Sequence, residues 1–197
     1  MRHERKHAAA TFLGGGRWVV AARWAIGVGL VLVALLVAGR LVDDLSVPVT
    51  ALVVEGTGTR GQPAPRIELP DFQGRPVRLA DFRGRPVVLN FWASWCPACI
   101  AEMPAFERLH RRLGDRVVFV GVNQRDDRGA ALDLAGRTGV TYRLAVDVAG
   151  RSFDAFGGLG MPTTVFIRAD GTVAEVVAGQ LDEALLAGRI GRDLGIS

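Results

Sequence analysis

The chain has 197 residues, enough for one domain of ordinary size plus an extension, and its apolar fraction of 49% with a positive mean hydropathy is high for a purely soluble protein. Its formal net charge of +4 arises before Trp24, where Arg2, Arg5, Lys6, Arg17 and Arg23 face the single acid Glu4, while from Arg40 onward arginines and acids balance. The later part therefore has no electrostatic footprint for nucleic acid, and the composition points instead to contact with lipid.

Residues 1–17 read as a basic cytoplasmic tail. From Trp24 to Gly39 there is no charge, and Trp18 to Ala22 extends the apolar run past the lone Arg23. A helix over 18–39 just spans a bilayer core, at ~1.5 Å per residue against ~30 Å, with Arg23 snorkelling toward the basic side. The positive cluster stays in the cytoplasm, so a single-pass anchor in the cell membrane, embedded in lipid through 18–39, leaves everything after Arg40 outside. A cleaved secretory signal fits the same features, given the small residues Val37-Ala38-Gly39. No cysteine follows the run to accept a lipid. Both readings place the remainder where disulfides form.

Residues 40–63, with Asp43-Asp44, Pro48, Gly56-Thr57-Gly58, Gly61 and Pro63, lack periodicity and read as a linker. Residues 64–197 form the globular part. Ile67, Leu69, Val77 and Leu79 alternate around Asp71-Phe72-Gln73-Gly74-Arg75-Pro76, which predicts a hairpin. The echo of Asp71–Val77 in Asp81–Val87 is turn chemistry used twice, since nothing after Val87 continues it. Buried strands are expected at 87–92, 117–122 and 144–146, and a hairpin pairs 164–167 with 172–177 across Asp170-Gly171. Helices are expected over 97–113, with Ile100, Met103, Phe106, Leu109 and Leu113 on one stripe, and over 128–138, 151–156 and 182–194. That order argues for an α/β sandwich with a central mixed sheet.

Trp95-Cys96-Pro97-Ala98-Cys99 falls where the strand 87–92 ends and a helix begins. Pro97 suits the first helical position, which puts Cys96 at the N-cap. A sulfur there meets backbone N–H groups and the positive end of the helix dipole, so the thiolate is favoured, and thiolate is the nucleophile of disulfide exchange. Cys99, one turn on, is placed to resolve a mixed disulfide or to close an internal one with Cys96. The alternatives are a zinc half-site, a structural disulfide or two buried thiols. Counting ligands weighs against zinc, because the chain has no other cysteine, His110 is eleven residues past Cys99, and His3 and His7 precede the apolar run. No metal or cofactor is expected. Trp92 and Trp95 shape an apolar ledge around the cysteines, although core packing alone would account for Trp92. Asn123-Gln124-Arg125-Asp126-Asp127 reads as a polar loop that caps the next helix through Asp127.

With these residues in view, Asn90-Phe91-Trp92-Ala93-Ser94-Trp95-Cys96-Pro97-Ala98-Cys99, then Glu102-Met103-Pro104, and later Gly160-Met161-Pro162-Thr163-Thr164 resemble thioredoxin-fold oxidoreductases of the TlpA/ResA/CcmG group. The resemblance runs from about Ala64 to the C-terminus. It implies a thioredoxin-like sandwich in which Pro162 is a cis-proline facing the two sulfurs. It also implies that the Met161 backbone offers strand-like hydrogen bonds to a bound polypeptide beside Trp95, and that Pro104 has a structural role. Ordinary thioredoxins carry a buried acid on the strand before the motif, where this chain has Asn90. The TlpA/ResA group instead has a glutamate three residues after the second cysteine, and Glu102 matches it. At i+3 on a helix, Glu102 lies beside Cys99 and can take its proton.

The expected reaction is attack by Cys96 on a substrate disulfide and resolution by Cys99, with Glu102 assisting. The Glu102 charge, the neutral Pro97-Ala98 insertion and the lack of an added helical domain of the DsbA kind favour a reductant. The resemblance points to exported protein thiols such as apocytochrome c, kept reduced for haem attachment with electrons from a membrane redox partner. Two rivals remain: a disulfide oxidase or isomerase for exported proteins, and a tethered binding module with a structural disulfide. A peroxiredoxin is disfavoured because the Thr-x-x-Cys arrangement is absent.

Overall fold

The structure, a computed structural model, describes Val54–Glu55 and residues 60–196. The expected membrane span over 18–39, the basic tail and the first part of the linker lie outside the described residues. Among those described, no helix is long and apolar enough to cross a membrane. The chain runs through β1 (Val54–Glu55), a hairpin of β2 (Glu68–Pro70) and β3 (Pro76–Arg78), a 3-10 turn (Leu79–Phe82) and β4 (Val87–Trp92). It continues through α1 (Pro97–Leu113), β5 (Val118–Gln124), α2 (Arg128–Thr138), β6 (Arg143–Asp147) and α3 (Arg151–Ala155). A second hairpin of β7 (Thr163–Ile167) and β8 (Val173–Ala178) and then α4 (Glu183–Leu194) complete it.

Six strands make one mixed sheet in the order β1-β8-β7-β4-β5-β6. β4, β5 and β6 are parallel, as helical crossovers require, whereas β7 pairs antiparallel with both β4 and β8. β4 is buried at every position because both faces of the sheet are covered. Leu89 and Phe91 join Val120, Val122, Phe153 and Phe156 on one side, closed by Ile67, Leu79 and Phe82 of the first hairpin and turn. Val88 joins Phe106, Leu109, Phe119, Leu186 and Ile190 on the other, beneath α1 and α4. Asp127 and Asp182 cap α2 and α4 by accepting from Ala130 and Leu185 N–H, each contact stabilising its helix start by about 1 kcal/mol. The expected strands, helices and mixed sheet are thus present.

Four features differ from the reading of the sequence. The folded unit begins before 64: β1 pairs with β8, and Pro63 bridges to Thr172, so part of the expected linker adds an edge to the sheet. A two-residue strand is too short to show alternation, which is why periodicity missed it. The 3-10 turn over Leu79–Phe82 was also not foreseen, and it buries Phe82 under the sheet. Asn123 and Gln124 extend β5 instead of opening a loop, and both are buried because their amides find partners there. Ile100, expected on the buried stripe of α1, is 37% exposed.

Gly121 shows how closely the sheet and its cover fit. It lies opposite Asn90 in the β4–β5 ladder, and a Cβ there would stand 2.9 Å from Leu144 Cδ2 and 3.0 Å from both Trp92 Nε1 and Tyr142 Cε2. Both rings are buried and cannot swing away. Gly121→Ala therefore overpacks this layer and should cost about 1–3 kcal/mol in denaturant unfolding. An unchanged midpoint would show that the layer has slack.

Candidate active site

β4 ends at Trp92, and the chain turns through Ala93, Ser94 and Trp95 to reach Cys96 at the head of α1. Cys96 has extended backbone angles (φ −99°, ψ 104°) and its Sγ accepts from the Cys99 N–H at 3.1 Å, which is the N-cap arrangement expected. Pro97 occupies the first helical turn, where no N–H is needed. Cys96 and Cys99 are joined as a disulfide. Both are buried, packed with Phe72, Trp92, Met103, Ala131 and Leu134, with Met161 against the same cluster. A sulfur in this position gains from the N–H donors and helix dipole whenever it carries charge.

The Met161-Pro162 peptide is cis, at the start of β7. Met161 is half-buried, and its Sδ accepts from Gln124 Nε2 at 3.0 Å. Trp95 and Trp92 have separated roles. Trp92 is fully buried and serves the core, whereas Trp95 is 59% exposed with its Nε1 donating to the Arg125 carbonyl at 3.3 Å. The exposed part of the expected ledge is thus Trp95; Leu159, two residues before Met161, is also exposed and was not singled out from the sequence. His110 packs its ring against Phe119 and Tyr142, on the core side of α1.

Glu102 is 1% exposed, although it lies only one turn beyond Cys99 on α1. Its Oε1 accepts from Asn90 Nδ2 at 2.7 Å, and its Oε2 accepts from the Leu181 N–H at 3.0 Å. Asn90 Nδ2 also donates to Thr164 Oγ1 at 3.2 Å, while Asn90 Oδ1 is buried without a partner. The strand position that holds an acid in ordinary thioredoxins thus holds the amide that orients this one. Burial pushes the Glu102 carboxyl up to about 8, against the opposing hydrogen bonds from Leu181 and Asn90. The raised value leaves this carboxyl able to hold its proton near neutral pH. The family resemblance, supported by helical spacing, pointed to Glu102; its burial and its link to Asn90 are visible only in the fold.

A cavity of about 420 Å³ lies at the opposite ends of these strands, walled by Ile67, Leu79, Phe82, Val87 and Ile167. It shares no lining residue with the cysteines, so position at the carboxyl ends of β4 and β5, and not cavity size, marks the reactive end.

Residues 60–176 match the model of the AhpC/TSA family. The chain is 32% identical over 168 residues to the thiol:disulfide interchange protein DsbE of Allochromatium vinosum, covering 84% of this chain and 87% of that one. It is 34% identical over 124 residues to the thiol-disulfide oxidoreductase ResA of Geobacillus thermodenitrificans, covering 61% of this chain and 70% of the relative. Among solved structures, it resembles a secreted Mycobacterium tuberculosis disulfide oxidoreductase homologous to E. coli DsbE, with 30% identity and a TM-score of 0.59 over 64% of this chain and 94% of that one.

The raised Glu102 value has a consequence for stability. Between its ordinary 4.5 and about 8, the folded chain keeps a proton that the unfolded chain has lost. Stability therefore falls as pH rises through that window, and the slope vanishes below and above it. Glu102→Gln mimics the protonated acid. In its disulfide form it should lose most of the decline in denaturant midpoint that the parent shows from about pH 5 to about pH 8.5. Parallel pH profiles for the two chains would contradict a buried acid that holds its proton.

Proposed function

The chain belongs to the AhpC/TSA family and is a thiol–disulfide oxidoreductase, and from that premise we propose that Cys96 attacks, Cys99 resolves and Glu102 carries the proton between them. The observation that supports these assignments is the N-cap position of Cys96 with a buried, doubly hydrogen-bonded Glu102 one turn past Cys99.

In the reducing direction, Cys96 thiolate attacks one sulfur of a substrate disulfide. A Cys96–substrate bond forms, the substrate S–S bond breaks, and the departing sulfur takes a proton from solvent. The Cys99 thiol then passes its proton to the Glu102 carboxylate and attacks Cys96 Sγ. The internal disulfide closes and the second substrate sulfur leaves. Two electrons have moved from the dithiol to the substrate, and Glu102 ends protonated, the state that its burial favours beside the disulfide. When a membrane redox partner reduces the disulfide again, Glu102 returns its proton to Cys99.

A carboxylate within the buried site disfavours thiolate at the neighbouring sulfurs. That makes the dithiol the weaker state and the chain a reductant. Trp95, Met161 and Pro162 form the borders along which an extended polypeptide lies, pairing with the Met161 backbone as an added strand. The substrates are exported proteins, with apocytochrome c before haem attachment the favoured example. The chain is held at the cell membrane by residues 18–39, and the stretch from residue 40 to the start of β1 leads to a catalytic domain outside the cytoplasm.

Replacing Cys99 with Ser while keeping Cys96 should arrest the cycle at the mixed disulfide. Purification of Cys99→Ser from native membranes under acid quench should yield covalent adducts with exported thiol proteins, released by dithiothreitol. If no adduct forms under conditions in which a matched thioredoxin variant traps its partners, the exchange assignment is wrong.

A further inference from the structure

Three consecutive residues at the end of β5 each hold a different part of the site. Gln124 Nε2 donates to Met161 Sδ at 3.0 Å, the Arg125 carbonyl accepts from Trp95 Nε1 at 3.3 Å, and Asp126 accepts from both the amide and the hydroxyl of Ser94 at 2.6 Å. The partners lie 30 to 37 residues away in the chain, in two segments that flank the sulfurs. Ser94 and Trp95 lead into Cys96; Met161 leads into Pro162. None of the three residues is needed for the cap of α2, because Asp127 alone makes it.

The backbone at Arg125 explains how one short segment reaches both sides. It has φ +47°, the one positive value among described non-glycine residues. A left-handed residue is unfavourable for any side chain with a Cβ, so its presence calls for a compensating contact. Here the turn ends the run of β5, and the Arg125 carbonyl meets Trp95 while the next side chain meets Ser94. Asp126 is further braced by Asn123 Nδ2 at 2.7 Å and the Asp127 N–H at 2.9 Å. Burial alone would raise the Asp126 carboxyl, yet the hydrogen bonds from Ser94, Asn123 and Asp127 together hold it below the usual carboxylate range, so it stays ionised and accepting. Gln124 is itself buried, and its Oε1 has no partner, so Met161 is the contact that orients this amide.

We propose that Gln124, Arg125 and Asp126 act as a positioning strap. It sets the separation of the Trp95 ledge from the Met161 edge and so selects extended polypeptide disulfides over small ones. The inference rests on the reading of Trp95 and Met161 as the borders of the substrate groove. The strap touches neither sulfur, so the exchange chemistry itself does not depend on it. A small disulfide needs only access to Cys96, whereas a polypeptide must meet both borders at once, and its rate is sensitive to their spacing.

The test compares two substrates of the reduced full-length chain in detergent: 2,2′-dithiodipyridine, and a short extended peptide with one internal disulfide. Gln124→Ala, Asp126→Ala and Arg125→Val should each lower the peptide rate constant about fivefold to tenfold and change the dithiodipyridine rate by less than about twofold. Arg125→Gly accepts the positive φ and keeps the carbonyl, so it should restore the parental ratio. Should Asp126→Ala fail to fold, the Gln124 variant and the Arg125 pair carry the same test. Equal losses toward both substrates, no loss toward the peptide, or an Arg125→Gly as impaired as Arg125→Val would overturn the strap. A parent chain that exchanges with dithiodipyridine but not at all with the peptide contradicts the strap and leaves the exchange reading intact; one that exchanges with neither contradicts both.

Discussion

The Glu102 carboxyl joins the parts of this domain that must work together. One oxygen is held by Asn90 in the central strand and the other by the Leu181 amide just after β8, so a single side chain from α1 reaches both the middle of the sheet and the segment leading into α4. A carboxylate removed from water is costly, and such a group persists only with its partners or with a proton. Here it has both options, and in the proposed mechanism its proton affinity becomes part of the redox cycle. The same burial that weakens the folded chain at high pH puts a proton-holding carboxyl one helical turn past Cys99.

Around this centre the functional groups gather at one end of the parallel strands. β4 delivers the cysteines, β5 delivers residues 124–126, and β7 begins with the cis-proline segment. The sheet order puts β4 between β5 and β7, so segments far apart in the chain meet beside the disulfide. Tertiary contacts then sharpen what local structure starts: the N-cap position of Cys96 follows from Pro97 and the strand end, but the setting of the loop before it depends on Asp126 gripping Ser94.

Much of this was legible in the residues. Period and turn chemistry located the two hairpins, the parallel strands and the helices, because each is long enough or sharply enough punctuated to show its pattern. The cysteine motif named the chemistry, and helical spacing placed Glu102 near Cys99. What escaped were features set by long-range contact. β1 has two residues and exists by pairing with β8. Gln124 looked like loop because it is polar, yet it is buried where Met161 supplies a partner. Asn90 looked like a lost acid, and only the fold shows its amide bonded to Glu102. Leu159 and Ile100 are apolar yet exposed, which their residue type does not reveal.

The central claim is that Glu102 holds a proton beside the disulfide and gives it to Cys99 on reduction. Infrared difference spectroscopy of the reduced minus the oxidised chain at neutral pH reads this directly. The account predicts loss of a protonated-carboxyl band with gain of a thiol S–H band, and absence of the carboxyl change in Glu102→Gln. A parent chain that shows no carboxyl change on reduction, or a variant that keeps it, would contradict the account.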